Sequence, residues 1–264
     1  MLGLRICWHA VLMVVTNPKA VLHIFVIPTG IFAALVYGAF RLLVSDFSGQ
    51  IPLGPFVITL ILFFVVFLLM IVKWHQFILL DTSPRGLFLK GNLSLSAAYF
   101  FRGLLISLMM LIPALVIVYL IMPIVTPLLQ SMLIDASNNP AVSGFGAGVL
   151  VTIWLSSLIV TTPLMVLFYC VSPILPATAI EKPLDLRDAV GAMSGSMGAI
   201  IVCALVTGMV NGAVDMLPYL LSLVVGNSVI AFVVPLLLQA LLLVVNISIL
   251  TTIYGYFVQK RELR

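Results

Sequence analysis

The chain has 264 residues, of which 63% are hydrophobic and only 8% carry a charge. Soluble domains are nearly half apolar and about a quarter charged, so this chain lacks the polar surface that water requires. Its twelve Lys and Arg residues exceed its eight Asp and Glu residues by four, which gives a net charge of +4. The basic residues are scattered, with no basic run interleaved with aromatic residues, which argues against nucleic-acid binding. We therefore expect an integral membrane protein whose first partner is the lipid bilayer.

Long intervals without charge predict the membrane spans. Each of six intervals can hold a helix of about 20 residues, enough to cross a hydrocarbon core of about 30 Å. The predicted spans lie near 21–43, 52–72, 103–125, 147–170, 190–213 and 230–254. Weakly amphipathic segments at 2–16, 93–101 and 184–193 precede the outward spans, as interfacial helices would. The prediction is an all-α polytopic protein of three helical hairpins.

Residues 1–264 are predicted to form a single transmembrane domain, with an interfacial helix over 1–19 and a helical bundle over 20–264. The segment 136–180 leaves one question open, because it has room for two helices. A turn at Asn138-Asn139-Pro140 would begin it, and Pro173 and Pro176 would break its far end. A single helix kinked at Pro163 fits better than a tight hairpin there, since neighbouring groups can satisfy the freed carbonyl.

The distribution of basic residues predicts the orientation. One side of the six-span arrangement collects every Lys and Arg except Arg41. Such a bias places the basic side in the cytoplasm. We expect a multi-pass protein of the bacterial inner membrane with cytoplasmic N- and C-termini.

A polar motif follows the second span, where Lys73, Trp74, His75 and Gln76 precede Asp81. Indoles and lysines are common at the membrane interface, so a simple anchor explains Trp74 and Lys73. The alternative is a small polar site of His75 and Asp81 on a re-entrant or interfacial segment, Phe77 to Leu80, closed by Pro84-Arg85.

Small residues in the fifth span predict close helix packing. Gly191-x-x-x-Gly195 and Gly208-x-x-x-Gly212 are both of the GxxxG type. The amides Asn211, Gln239 and Asn246 are the polar residues within the predicted spans, and interhelical hydrogen bonds are their expected role.

The sequence favours no catalytic or metal chemistry. His9, His23 and His75 have no ligand-like spacing, which argues against a metal or haem site, and His23 is expected to be a hydrogen-bonded interfacial residue. Phosphate loops, Ser-His-Asp sets and paired carboxylates are missing, so we expect neither an enzyme nor a bound cofactor. Apart from Arg41 at the end of the first one, the predicted spans contain no Asp, Glu, Lys or Arg, which argues against an ion-coupled transporter.

Four groups of residues resemble an uncharacterised six-helix inner-membrane family of alphaproteobacteria and, more distantly, the membrane domain attached to some glycerophosphodiester phosphodiesterases. They are Arg5 to Ala10 with Met13, Asn17 and Pro28; Trp74-His75-Gln76-Phe77-x-Leu79-Leu80; Ser172-Pro173-Ile174-Leu175-Pro176-Ala177-x-Ala179-Ile180 with Glu181 following; and Thr252-x-Tyr254-Gly255-Tyr256 with Arg261-Glu262-Leu263. The resemblance implies a location and a fold, and no activity.

This chain departs from the family pattern at three places. Members commonly read Trp-His-Arg where Gln76 stands, carry an acidic pair where only Asp81 remains, and have Trp where this chain has Val190. These departures weaken a family-type polar site at the cytoplasmic face.

Because the predicted loops are short and the predicted spans carry almost no charge, the helix surfaces are the part of the chain most available for interaction. We therefore expect a non-enzymatic accessory, assembly or structural partner of a larger inner-membrane complex. The alternative is a transporter or lipid-handling protein with a cavity between helices kinked at Pro113, Pro163 and Pro235.

Overall fold

A computed structural model of the protein describes residues 1–45, 53–86, 91–138, 147–226 and 228–263. The chain is 89% helical, and no strand occurs among the described residues. Six of the described helices are long and apolar enough to cross a membrane. The predicted all-α polytopic membrane fold is therefore confirmed.

The helices follow one another along the chain with short connections. They are α1 (Leu2–Thr16), α2 (Pro18–Val21), α3 (Ile27–Ser45), α4 (Leu53–Leu80), α5 (Asn92–Asn138), α6 (Ala147–Val171), α7 (Ile174–Ala179), α8 (Leu186–Met193), α9 (Met197–Val225) and α10 (Val229–Ile253). A π-helical turn over Leu22–Val26 joins α2 to α3, and a second one, Tyr254–Val258, extends α10.

Several helices run past the predicted spans. α5 begins at Asn92 and has 47 residues, which is about 70 Å at 1.5 Å per residue. The separate interfacial helix predicted over 93–101 is wrong, because this segment is the first part of α5. α9 likewise continues to Val225 and includes Asp215, so its predicted end near 213 was too early. A single charged residue does not end a helix, which continues until a turn-forming residue such as Gly226 with its φ of 64°.

Between residues 147 and 180 the chain forms one long helix and one short one. α6 is continuous with Pro163 inside it, and α7 follows a break at Pro173. The prediction of a single span rather than a hairpin at Pro163 is therefore confirmed. The predicted turn at Asn138-Asn139-Pro140 falls largely on residues 139–146, which lie outside the described residues.

The buried core lies at one end of the bundle, where α4 ends and α5 begins. We call this end, which carries Lys73, Arg102 and Arg261, the basic end. Two clusters of buried side chains there unite the last turns of α4, α6 and α10 with α1 and the short helices α7 and α8. Toward the other end, most described side chains of α4, α5 and α10 are exposed, as lipid-facing side chains are.

Two of the four predicted packing glycines lie in a tight helix contact. A Cβ atom at Gly212 would lie 2.6 Å from Nε1 of Trp154 on α6, and one at Gly208 would lie 3.2 Å from Leu158. Nothing lies within 4 Å of a Cβ placed at Gly191 or Gly195, which precede α9. The close approach of α6 and α9 therefore depends on the second GxxxG pair.

Interhelical hydrogen bonds join α9 to α10, as predicted. Asn246 Nδ2 donates to Asn211 Oδ1 at 3.2 Å, and Gln239 Nε2 donates to Asp215 Oδ1 at 3.3 Å. Asp215 lies in α9, two residues past the predicted end of the fifth span, and supplies the acceptor for Gln239. Its side chain is exposed.

We predict that Gly212→Ala lowers the stability of the α6–α9 contact by about 1–3 kcal/mol, the cost of overpacking a close-packed site. Gly191→Ala is the matched control, since its new methyl group meets open space. The measurement is the thermal unfolding midpoint of each variant in the same detergent. Equal midpoints for the two variants would show that α6 and α9 do not approach at Gly212.

Candidate functional site

Helix α1 lies across the basic end. Near its start, the Ala199 carbonyl oxygen and the Val202 side chain of α9 occupy the place of a side chain at Gly3. Near its end, Met13 Sδ lies 3.7 Å from Thr252 Oγ1 of α10. Residues 2–16 therefore form a helix whose two ends pack against α9 and α10, and its position at a membrane interface stays a prediction.

Trp74 joins α4 to α10. Its side chain is fully buried, and Nε1 donates to Ser248 Oγ at 3.0 Å. The Ser248 hydroxyl in turn donates to the Val244 carbonyl at 2.8 Å. The anchor interpretation is therefore wrong for Trp74, and Lys73 is also only 2% exposed. Sequence position near a helix end does not reveal that α1, α7 and α10 cover that end.

His75 lies beside Trp74 in the same buried layer. Its Nδ1 is 2.8 Å from Thr251 Oγ1, and its Nε2 is 3.3 Å from the Tyr99 hydroxyl. Thr251 already donates its one hydroxyl hydrogen to the Ile247 carbonyl at 3.0 Å. Thr251 Oγ1 must therefore accept from His75, which assigns the hydrogen to Nδ1 and makes Nε2 the acceptor for Tyr99. His75 thus links α4 to both α10 and α5.

Gln76 joins α4 to the short helix α7. Its Nε2 donates to the Ala179 carbonyl at 3.2 Å, and Arg102 of α5 donates to Thr178 Oγ1 at 2.7 Å. α7 ends in a Schellman arrangement, with Lys182 N donating to the Ala177 carbonyl and Glu181 at a φ of 58°. Pro173 and Pro176 place α7 rather than line a site, and both are buried.

The C-terminal segment covers the end of α4. Arg261 donates to the carbonyls of Ile78 and Leu79, at 3.3 and 2.6 Å. These are carbonyls of the last helical turn, where a cation is favourable because of the helix dipole. Residues 77–80 are therefore helical and not re-entrant. Asp81 follows in the left-handed region with a φ of 52°.

These contacts border a half-open cavity of about 650 Å³ at the basic end. Its walls come from α1, the end of α4, and α10 with the C-terminal segment. The lining includes His9, Leu12 and Met13; Ile78, Leu79 and Asp81; and Thr251, Thr252, Tyr256, Arg261 and Glu262. Both polar and apolar side chains line it, and Thr251 connects its wall to buried His75.

The structure brings some predicted site residues together and separates others. Asp81 lines the cavity, while His75 lies behind Thr251 and Glu181 ends α7. His23 is hydrogen-bonded through Nδ1 to the Lys19 carbonyl at 2.7 Å, as expected. No group of three or more His, Cys, Asp or Glu side chains among the described residues is placed to hold a metal ion.

Sequence reasoning missed the hydroxyl residues that complete the network. Ser248 and Thr251 lie three residues apart in an apolar run, and Tyr99 lies in the first part of α5. Hydroxyl residues in membrane helices are common, so they carried no signal of their own. The available signal was the spacing of Ser248 and Thr251 by three residues on α10, which matches the adjacent polar residues Trp74 and His75 on α4.

Comparison with known proteins returns no relative: no protein-family model, curated protein or solved structure matches this chain. Functional inference therefore rests on the geometry of the basic end.

The Trp74–Ser248 bond predicts a measurable coupling between α4 and α10. In a double-mutant cycle of Trp74→Phe and Ser248→Ala, we expect a coupling of about 0.6 kcal/mol, with an upper range near 1.7. The measurement is unfolding of each variant in mixed micelles. Trp8→Phe is the matched control, because Trp8 is exposed on the outer face of α1. A cycle with no coupling would mean that the two side chains do not bond in the bilayer-like environment.

Proposed function

We propose that this protein is a non-enzymatic lipid-handling membrane protein that binds the polar end of an amphiphile in the basic-end cavity. The observation that carries the proposal is the cavity itself. Its volume of about 650 Å³ lies within the range of about 300–1,000 Å³ found for small-molecule sites.

The lining supports an amphiphile over a purely apolar or purely charged ligand. Leu12, Met13 and Ile78 provide apolar surface, while Asp81 and Arg261 provide charges of both signs. A headgroup with donors and acceptors can bond the charged groups while the start of its hydrocarbon chain contacts the apolar ones. The cavity also lies beside α1, a helix of the kind found at the level of lipid headgroups.

A second feature supports lipid handling rather than transport of a polar substrate. Beside Pro113 and Pro163, helices α5 and α6 form an open groove of about 420 Å³. Its lining is mainly apolar, including Met110, Leu164 and Phe168. An acyl chain fits such a groove better than a polar substrate, which would need hydrogen-bonding partners there.

The orientation belongs to the same proposal. Among the described residues, the basic end carries every Lys and Arg except Arg41, so the positive-inside bias supports a cytoplasmic position for it and for both termini. The amphiphile would then come from the inner leaflet of a bacterial inner membrane.

The role of partner in a larger membrane complex stays a second candidate because of one observation on α5. Its candidate membrane span Asn92–Pro127 has 36 residues, about 54 Å at 1.5 Å per residue, against a hydrocarbon core of about 30 Å. Although Arg102 lies within it, strong tilt or a protein partner would have to cover the exposed apolar side chains that extend past the hydrocarbon core. Co-purification in mild detergent at a fixed ratio with another membrane protein supports the partner, and a solitary chain excludes it.

We predict that Leu12→Trp, which fills the cavity, lowers retained lipid at least tenfold in native mass spectrometry of the detergent-purified protein. Val15→Trp is the matched control, since Val15 lies on the same helix but is exposed and does not line the cavity. Lipid bound to the general apolar surface is equally present in both variants. Equal retention in the wild type and both variants would contradict a headgroup site in this cavity.

A further inference from the structure

Two thiols meet where α1 crosses α9. Cys7 Sγ lies 3.2 Å from Cys203 Sγ, although 196 residues separate them in the chain. Both are free cysteines, and the third, Cys170, lies apart with its thiol 3.9 Å from Met197 Sδ. The Cys7–Cys203 contact is therefore a specific feature of the α1–α9 crossing.

The two backbones approach closely at this crossing. Gly3 and Ala10, one turn to either side of Cys7, are buried small residues of α1. At Gly3 the backbone of α9 fills the place that a side chain would take. A disulfide requires Cα atoms about 4.4–6.8 Å apart, a separation that only helices packed through small residues reach.

The two cysteines differ in accessibility. Cys7 is half-buried, whereas Cys203 is fully buried beneath it. Hydrogen bonding to the Cys203 thiol lowers the pKa of Cys7, although its partial burial opposes this shift. Cys7 is thus the reachable thiol and the better nucleophile, and Cys203 is placed to act second.

We propose that Cys7 and Cys203 form an oxidation site at which a hydroperoxide produces a reversible disulfide that fixes α1 to α9. The Cys7 thiolate attacks the hydroperoxide, so that an S–O bond forms, the O–O bond breaks, and an alcohol leaves after taking a proton. The Cys203 thiol then attacks the Cys7 sulfur, an S–S bond forms, the S–O bond breaks, and water leaves. Two thiols and one hydroperoxide give one disulfide, one alcohol and one water.

The disulfide would act on a helix that also borders the cavity. Leu12 and Met13 of α1 line that cavity, one to two turns from Cys7. Fixing α1 to α9 would hold this wall in place, and reduction would free it again. Disulfides of this kind in reducing compartments are typically transient or regulatory rather than structural.

The test uses the full chain in lipid nanodiscs, treated with tert-butyl hydroperoxide at increasing concentration. Remaining thiols are alkylated, and non-reducing peptide mass spectrometry locates the cross-link. We expect the loss of two of the three thiols, a peptide pair linked through Cys7 and Cys203, and full recovery with dithiothreitol. Cys170→Ser is the matched control and keeps this result, whereas Cys7→Ser abolishes it.

Three outcomes would overturn the proposal. They are alkylation of all three cysteines after treatment, accumulation of Cys7 sulfinic acid with Cys203 still reduced, or a Cys7–Cys7 cross-link between two copies. Each is read directly on the wild-type chain, so the result does not depend on whether a variant folds. None of them bears on the cavity, whose lipid retention is measured separately.

Discussion

The pairing of buried polar groups between α4 and α10 is the interaction on which the basic end depends. A membrane offers almost no water to satisfy an indole N–H or an imidazole, so each must find a partner inside the bundle. Trp74 and His75 find theirs on Ser248 and Thr251, and these hydroxyls bond their own helix in turn. Because each hydroxyl accepts and donates at once, the indole N–H of Trp74 and Nδ1 of His75 are both paired. Every side-chain hydrogen bond described between these two helices lies at the basic end.

The other elements of the basic end build on this layer. His75 also reaches Tyr99 of α5, and Gln76 reaches α7. Arg261 binds the last carbonyls of α4 and brings the C-terminal segment over them. α1 then lies across α9 and α10, and the space left between α1, α4 and α10 is the cavity. The hydrogen bonds of Trp74, His75 and Arg261 hold the segments that form the walls of this cavity. The cavity therefore differs from a packing defect.

The sequence predicts the large features because membranes impose simple rules. Span number follows from apolar length, and the hydrogen bonds of Asn211, Gln239 and Asn246 follow from the cost of unpaired amides. The boundaries were less predictable, since a helix such as α5 continues past the hydrocarbon until the chain turns. The role of Trp74 was also out of reach. An indole near a helix end is compatible with an interface and with a covered core, and only the position of α1, α7 and α10 decides between them.

Neither the cavity nor the Cys7–Cys203 pair could be predicted from the sequence, because both arise from contacts between distant segments. Asp81 was identified from its place after the second span, but Arg261 and Leu12 join it only when α1 folds back. Single cysteines in apolar segments resemble buried small residues, and two of the three become a pair only at the α1–α9 crossing. The structure therefore adds the places where helices that are far apart in the sequence cross each other.

The central claim is that the Trp74 and His75 bonds hold the ends of α4 and α10 together. Distances between pairs of spin labels, measured by double electron–electron resonance, test it most directly. The measurement uses nanodiscs and a chain without the native cysteines. One pair would report on the basic end, at Leu80 and Glu262, and another on the far end, at Val57 and Leu237, all exposed positions. The account predicts a narrow distribution for the first pair that broadens when Trp74 and His75 are both replaced by Phe, with little change in the second. A first pair that stays narrow without these two side chains would contradict it.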